Sequence, residues 1–208
     1  MGHKMCAILN RNGHELCGID IDNREAGESF NADVIIDFSS SSCLKDNLDL
    51  AATKNVPIVI ATTNHSSENL AMIESYSKLI PIFMASNFSL LFNVLLQLCS
   101  RLKPLKTCEF IVEETHHKHK KDSPSGSCKE LLKVLKENNI EPQVSVYRVG
   151  EVIGRHAVKI YNGYESLEIM HDVSDREVFC EGALKACKFI IHKSKGLYTM
   201  NDLLKQPE

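Results

Sequence analysis

Between Glu113 and Ser127 the sequence reads Glu-Glu-Thr-His-His-Lys-His-Lys-Lys-Asp-Ser-Pro-Ser-Gly-Ser, with three histidines and three lysines ahead of a turn. Imidazoles titrate near neutral pH and lysines carry fixed positive charge, so the segment can move a proton and attract an anion. Pro124-Ser125-Gly126-Ser127 has the composition of a helix start, where first-turn N–H groups point outward and can hold a carboxylate. Together these features predict a site for an anionic substrate. Two other readings use the same residue types. The run could be a solvated basic loop, although paired histidines beside Asp122 and a Pro-Ser-Gly turn argue against one. A zinc site from His116, His117 and His119 is the other. Neighbouring strand residues point to opposite faces, however, and no Cys-x-x-Cys pair lies nearby, so no metal is expected.

The elements that must position this run fall into two patterns. As far as residue 102, apolar strands alternate with amphipathic helices. Strands are predicted at Leu16–Ile21, Asp33–Phe38, Ile58–Ala61 and Ile80–Ala85, and helices from the Leu44, Leu48, Ala51 and the Leu70, Ile73, Ser77 stripes. A helix over Lys4–Leu9 precedes them, ended by Asn12-Gly13. This βαβ alternation predicts a parallel sheet. Leu91, Val94, Leu95, Leu98 and Leu102 then mark a longer helix expected to be buried. Beyond it, strands at Glu109–Thr115, Val144–Val149, His156–Tyr161 and Leu167–Val173 carry polar residues on one face, as in a partly exposed sheet. One helix, Cys128–Lys136, interrupts them. A last amphipathic helix carries Val178, Ala183, Ala186 and Ile190, with Gly196 ending the stretch. Read alone, His156, Glu168 and His171 are polar strand residues.

Composition bounds the partners. The chain has 208 residues and a net charge of -3, which leaves no general basic surface for nucleic acid. No run of ~18 apolar residues suggests a membrane span, and the first residues do not form a signal peptide. Eight cysteines occur without close pairing. Cys6, Cys99, Cys128 and Cys187 fall in apolar helical stretches and read as reduced thiols of a cytoplasmic protein.

The run from Glu114 to Ser127 resembles the signature of the dihydrodipicolinate reductase family, E-x-H-H-x-x-K-x-D-x-P-S-G-T, with Ser127 keeping the hydroxyl of the final threonine. Other segments follow the family in order. Asp37-Phe38-Ser39 is similar to its D-F-[ST], Ala61-Thr62-Thr63 to its G-T-T-G loop, and Ala85-Ser86-Asn87-Phe88-Ser89 to its A-x-N-F-S junction. Arg148-Val149-Gly150, Gly154-Arg155-His156, Glu168-Ile169-Met170-His171, Ser174-Asp175-Arg176 and Gly196-Leu197-Tyr198-Thr199-Met200 continue the match.

The resemblance implies an α/β fold: a Rossmann-like dinucleotide-binding domain over residues 1–88 and 177–208, and an α+β substrate domain over 89–176 whose open mixed sheet builds a homotetramer. It implies hydride transfer from NADH or NADPH to a cyclic unsaturated dicarboxylate, with protonation at carbon. His116 would be the proton donor, a role suited to a pKa near neutrality. Lys120 would stand beside the substrate ring, and His117, Gly126 and Ser127 would bind its carboxylates. Lys118, His119 and Lys121 would contribute positive field alone. The cofactor residues implied are Asp22, Phe38, Ala61, Thr62, Thr63, Ser86, Asn87 and Phe88. Asp22 is the expected acid for the ribose hydroxyls, which favours NADH over a 2′-phosphate, with Asp20 as the alternative. Of the family's G-x-x-G-R-M-G turn, Met1-Gly2 matches only the final M-G, and Ala61 and Asn64 replace glycines of the T-T loop. A silent remnant keeping the assembly sheet and the anion pocket is therefore the alternative expectation.

Overall fold

A computed structural model describes residues 1–18 and 29–205, so the expected cofactor acid Asp22 lies outside the described residues. The chain divides into two compact units, Met1–Phe88 with Phe179–Glu208, and Ser89–Val178.

Among the described residues, the first unit holds a four-stranded sheet of β1 (Ile35–Asp37), β2 (Ile58–Ile60), β3 (Pro81–Met84) and β8 (Gly196–Tyr198), in that order. All pairings are parallel, with Ile35 opposite Ile58, Ile58 opposite Ile82 and Ile82 opposite Leu197. Strands covered on both faces need apolar residues at every position, and Ile58, Val59 and Ile60 are all fully buried. Helix α1 (Gly2–Arg11) buries Met5 and Ile8. Helix α2 (Leu44–Lys54) buries Leu44, Leu48 and Ala51, the stripe that predicted it, and stops at Asn55 in the left-handed conformation with φ 52°. Helix α3 (Ser67–Tyr76) starts where the Ser66 hydroxyl accepts the Asn69 N–H. It buries Ile73 but leaves Leu70 exposed, so its apolar stripe is narrower than expected. Helices α2 and α3 close a core of Leu48, Ile58, Ile60, Ile73, Ile80 and Ile82.

After α6 (Glu177–Ile190) the chain corrects the sequence reading. Gly196, expected to end the helical stretch, opens strand β8, and the helix stops at Ile190. Three residues are too few for any periodicity to register. A capping box between Thr199 and Asp202 then starts α7 (Met200–Leu204). The predicted strand at Leu16–Ile21 has no strand geometry at residues 16–18, and its remainder lies outside the described residues.

The second unit holds a four-stranded mixed sheet of β4 (Glu109–His116), β5 (Gln143–Arg148), β6 (Gly154–Tyr161) and β7 (Ser166–Val173), ordered β5-β4-β6-β7. β4 runs parallel to β5 and antiparallel to β6, which pairs antiparallel with β7. Along β4 every second residue turns inward, so Phe110, Val112, Glu114 and His116 share one buried face. Helices α4 (Leu90–Cys99) and α5 (Gly126–Glu137) pack a core of Phe92, Leu95, Leu131, Leu135, Val158 and Ile160.

Helix α4 is the clearest departure from expectation. It buries Phe92, Asn93, Leu95 and Cys99, whereas Leu91, Val94 and Leu98 are exposed, and Leu102 lies in a turn beyond the helix. The segment is apolar almost all round, so its periodicity identifies a helix without identifying the inward face.

Candidate active site

From Phe110 to His116 every second residue of β4 lies on its buried face, and Glu114 and His116 are the last two inward positions. Glu114 is completely buried and His116 is 7% exposed. His117, the residue after β4, is half-buried. The chain then loops through Lys120 and returns to Ser125, the N-cap of α5, whose hydroxyl accepts the Cys128 N–H at 3.1 Å.

A carboxylate buried among apolar side chains must have its charge satisfied. Glu114 Oε1 accepts the Ser125 N–H at 3.0 Å and Arg148 Nη2 at 2.8 Å, and Oε2 accepts the Ser125 hydroxyl. Burial alone would raise the Glu114 carboxyl, but the Ser125 hydroxyl, the Arg148 guanidinium and the Ser125 N–H together hold it below its ordinary value. It is therefore a fixed negative charge. Around it stand two imidazoles, with His116 Nδ1 at 3.6 Å and His156 Nε2 at 3.8 Å from Oε2.

The His116 and His156 rings meet edge to face with centroids 5.2 Å apart, and His156 stacks on His171 at 6.4 Å. His171 Nε2 reaches the Ser89 hydroxyl at 3.0 Å. Burial pushes His116 down to about 4, with Lys120 and Arg148 adding to the effect and Glu114 opposing it. Burial likewise lowers His156 to about 4, with the His116 charge adding, and lowers His171. The expectation of a near-neutral His116 is thus overturned for the ligand-free chain. A ring enclosed on one side and flanked by cations resists protonation until compensating negative charge arrives.

Lys120 Nζ sits 2.9 Å from Asp122 Oδ1, so the expected substrate amine carries an internal carboxylate partner. Gly126 and Ser127 are the first two residues of α5, exposed and half-buried respectively, at the positive end of that helix. Lys118 pairs at 3.8 Å with Glu151 on the surface. Gly154 lies against His116, where a β-carbon would come within 3.3 Å of Nε2.

The sequence reading missed Glu114, Ser125, Arg148, His156 and His171 as members of this cluster. A signal was available for some of them. Glu114 and His116 share the two-residue period, and β6 and β7 place His156 directly opposite His171. Against expectation, both of these strand histidines are buried, at 3% and 8% exposure, while Glu168 is exposed as expected.

Glu114, His116 and His156 bring one ligand atom each within 4.8 Å of one another, a spacing that could surround a metal ion. The carboxylate, however, already accepts from Ser125 and Arg148, and a cation there would meet the Arg148 guanidinium. This donor set suits a proton better than a metal.

In the first unit, Phe38 follows β1, Ala61-Thr62-Thr63 follow β2, and Ser86-Asn87-Phe88 follow β3. These positions share the carboxyl edge of three adjacent parallel strands, where open α/β sheets bind nucleotides. Asp37 Oδ1 accepts the Ser39 N–H at 2.9 Å, shaping the turn after β1. Thr62 is buried with its hydroxyl 3.2 Å from His65 Nε2, Thr63 is exposed, and the Phe88 ring packs 5.9 Å from Phe83.

Comparison with known proteins covers both units. The family model described as dihydrodipicolinate reductase, N-terminus, matches residues 1–88, and that described as dihydrodipicolinate reductase, C-terminus, matches residues 88–204. The 4-hydroxy-tetrahydrodipicolinate reductase of Alkaliphilus metalliredigens is 31% identical over 98% of this chain and 94% of its own length. That of Caldanaerobacter subterraneus is 38% identical over 84% of this chain and 78% of its own. Among solved structures, a dipicolinate-bound dihydrodipicolinate reductase from Paenisporosarcina sp. TG-14 superposes with a TM-score of 0.73 at 17% identity, covering 93% of this chain and 83% of that one.

Proposed function

The chain belongs to the dihydrodipicolinate reductase family, and on that premise we propose that it reduces 4-hydroxy-tetrahydrodipicolinate to tetrahydrodipicolinate at the expense of a nicotinamide nucleotide. The observation that carries this reading lies in the second unit. There a buried imidazole, an amine and a helix N-terminus follow one another in the order of the family signature, as His116, Lys120 and Gly126-Ser127.

The first unit takes the nucleotide, held by Phe38, Ala61, Thr62, Thr63, Ser86, Asn87 and Phe88 along the strand edge, with Asp22 on the ribose. The bound nucleotide supplies a hydride. Every remaining task falls to side chains of the second unit. Lys120 and the first turn of α5 hold the substrate carboxylates, aided by His117, and His116 delivers a proton to a ring carbon. The negative charge of the substrate answers the burial and the cations that keep His116 neutral in the free chain, so the acid forms as the substrate arrives.

NADH is the favoured cofactor, on the strength of an acid at Asp22, and no metal takes part. We further infer a homotetramer joined through the mixed sheet, whose outer strands carry exposed Val144, Tyr147, Leu167 and Met170 as apolar surface for assembly to cover. None of the eight cysteines is in a disulfide, which supports a reducing compartment such as the cytoplasm. The test supplies freshly generated 4-hydroxy-tetrahydrodipicolinate to the purified chain and follows oxidation of NADH and of NADPH, with light scattering for subunit number. Turnover with kcat/KM higher for NADH is expected. Absence of turnover with either nucleotide would return the silent-remnant reading, and a higher value for NADPH would overturn the cofactor assignment.

A further inference from the structure

We propose that Glu114, which opens the signature run but has been given no role in it, is the positioning residue of the acid site. Its pinned carboxylate orients His116 with Nδ1–H towards itself and leaves Nε2 as the nitrogen that exchanges the catalytic proton.

Three observations lead there. First, the carboxylate cannot move, because Ser125 grips both its oxygens through N–H and hydroxyl, and Arg148 holds Oε1 from the end of β5. Second, its Oε2 faces Nδ1 of His116 at 3.6 Å, and that nitrogen is buried with no hydrogen-bond partner among the described residues. A buried N–H with a single anion in front of it is stable, whereas a bare nitrogen lone pair facing a carboxylate is repelled. Third, the opposite nitrogen, Nε2, borders Gly154, where the missing side chain leaves the ring edge uncovered by a β-carbon.

The charged neighbours of His116 come from every element around it. Lys120 and Asp122 face it from the loop after β4, Arg148 from β5 and His156 from β6, with His171 behind His156 on β7. Lys120, Arg148 and a protonated His156 all oppose a charged His116. Glu114 leads the groups that favour one, with Asp122 adding a smaller effect. Removing that charge while keeping the amide shape should therefore make the imidazolium harder to form at every pH, without removing substrate contacts.

The inference rests on the reductase reading, and its test separates the two. In the parent chain, ¹⁵N shifts of labelled histidine should place His116 in the Nδ1–H tautomer before any substrate is added. The Nε2–H tautomer would overturn the proposal whether or not the chain turns over, and this measurement needs no variant. In Glu114→Gln, the pH midpoint of kcat/KM should fall by roughly one to two units, the usual effect of losing an opposite charge at this range. Activity at pH 8 should then drop roughly 10- to 100-fold and the deficit should shrink as the pH is lowered. A loss of the same factor at every pH, with the midpoint unmoved, would make Glu114 a structural residue only and sink the proposal. If the parent itself shows no turnover, the functional reading fails, while the tautomer result still decides the role of Glu114.

Discussion

At the scale of single residues, the environment of His116 disfavours its charged form. His116 lies at the inner end of a strand, where burial holds it at about 4 in the absence of ligand. On the proposed reading, a proton donor of this kind would stay idle until a dianion enters, so the acid would not form without its substrate. His116→Gln keeps the size of the side chain and removes the proton, so kcat should fall by roughly 10²- to 10⁴-fold, the usual worth of a placed acid. Nucleotide affinity, measured by fluorescence titration, should stay within a factor of about three, since the first unit is untouched. Lys120 is a separate matter. If Lys120 binds a substrate carboxylate as proposed, its partner Asp122 would have to yield, and the amine would contribute the surplus of one charged hydrogen bond over another. Lys120→Ala should weaken binding of a planar pyridine dicarboxylate by about 1.5 to 3 kcal/mol, read by calorimetry. Equal affinity in parent and variant would remove Lys120 from the pocket.

At the scale of elements, the first unit depends on how closely α6 can lie against the segment after β3. Gly182, on the buried face of α6, has no room for a side chain, since a β-carbon there would stand 1.8 Å from the carbonyl oxygen of Phe88. Phe88 is one of the residues assigned to the nucleotide edge. Gly182→Ala must therefore push the helix off or shift Phe88, a case of overpacking that typically costs about 1–3 kcal/mol. The expected outcome is a lowered midpoint for unfolding of the first unit and weaker nucleotide binding. Tautomer and titration of His116 in the second unit should be unchanged. Denaturation followed by hydrogen exchange in each unit would separate the two effects, and an unaltered midpoint would mean that α6 has freedom the packing does not suggest.

At the scale of the molecule, three buried histidines tie stability to pH. His116, His156 and His171 all have folded-state values below that of a free imidazole, mainly because burial disfavours the charged ring. Above a pH of about 6.5 neither the folded nor the unfolded chain binds protons at these rings, and their neutral burial carries no penalty. Below it the unfolded chain takes up protons that the folded chain refuses, so stability falls as pH drops from about 6.5 towards 4. The depressed Glu114 acts in the same sense, losing its contribution at still lower pH. The second unit should thus show a thermal midpoint that declines steadily between pH 7 and pH 5. His156→Gln should flatten part of that decline, and a midpoint independent of pH in this window would contradict the burial of these rings.

Much of this protein was already legible in the order of its residues. Alternating apolar strands and amphipathic helices announced the parallel sheet, because strands buried on both faces must be apolar throughout, as Ile58, Val59 and Ile60 are. The run from Glu114 to Ser127 announced the site, because histidine, lysine and a serine-glycine helix start are local features that need no distant partner. The folded chain alone decided whatever depends on residues far apart in sequence. The inward face of α4 followed from what packed against it, since an apolar helix offers no preferred side. Strand β8 was invisible because three residues carry no period. His156 and His171 read as ordinary strand positions until β4, β6 and α4 closed over them, and burial then changed their chemistry. Glu114 opened the signature run without a role of its own, and its surroundings came from Ser125 and Arg148, which are 11 and 34 residues away. Local sequence can specify which groups are present and which way a strand alternates. The electrostatics of a buried site depend on distance and solvent exclusion, and these exist only after the chain has folded.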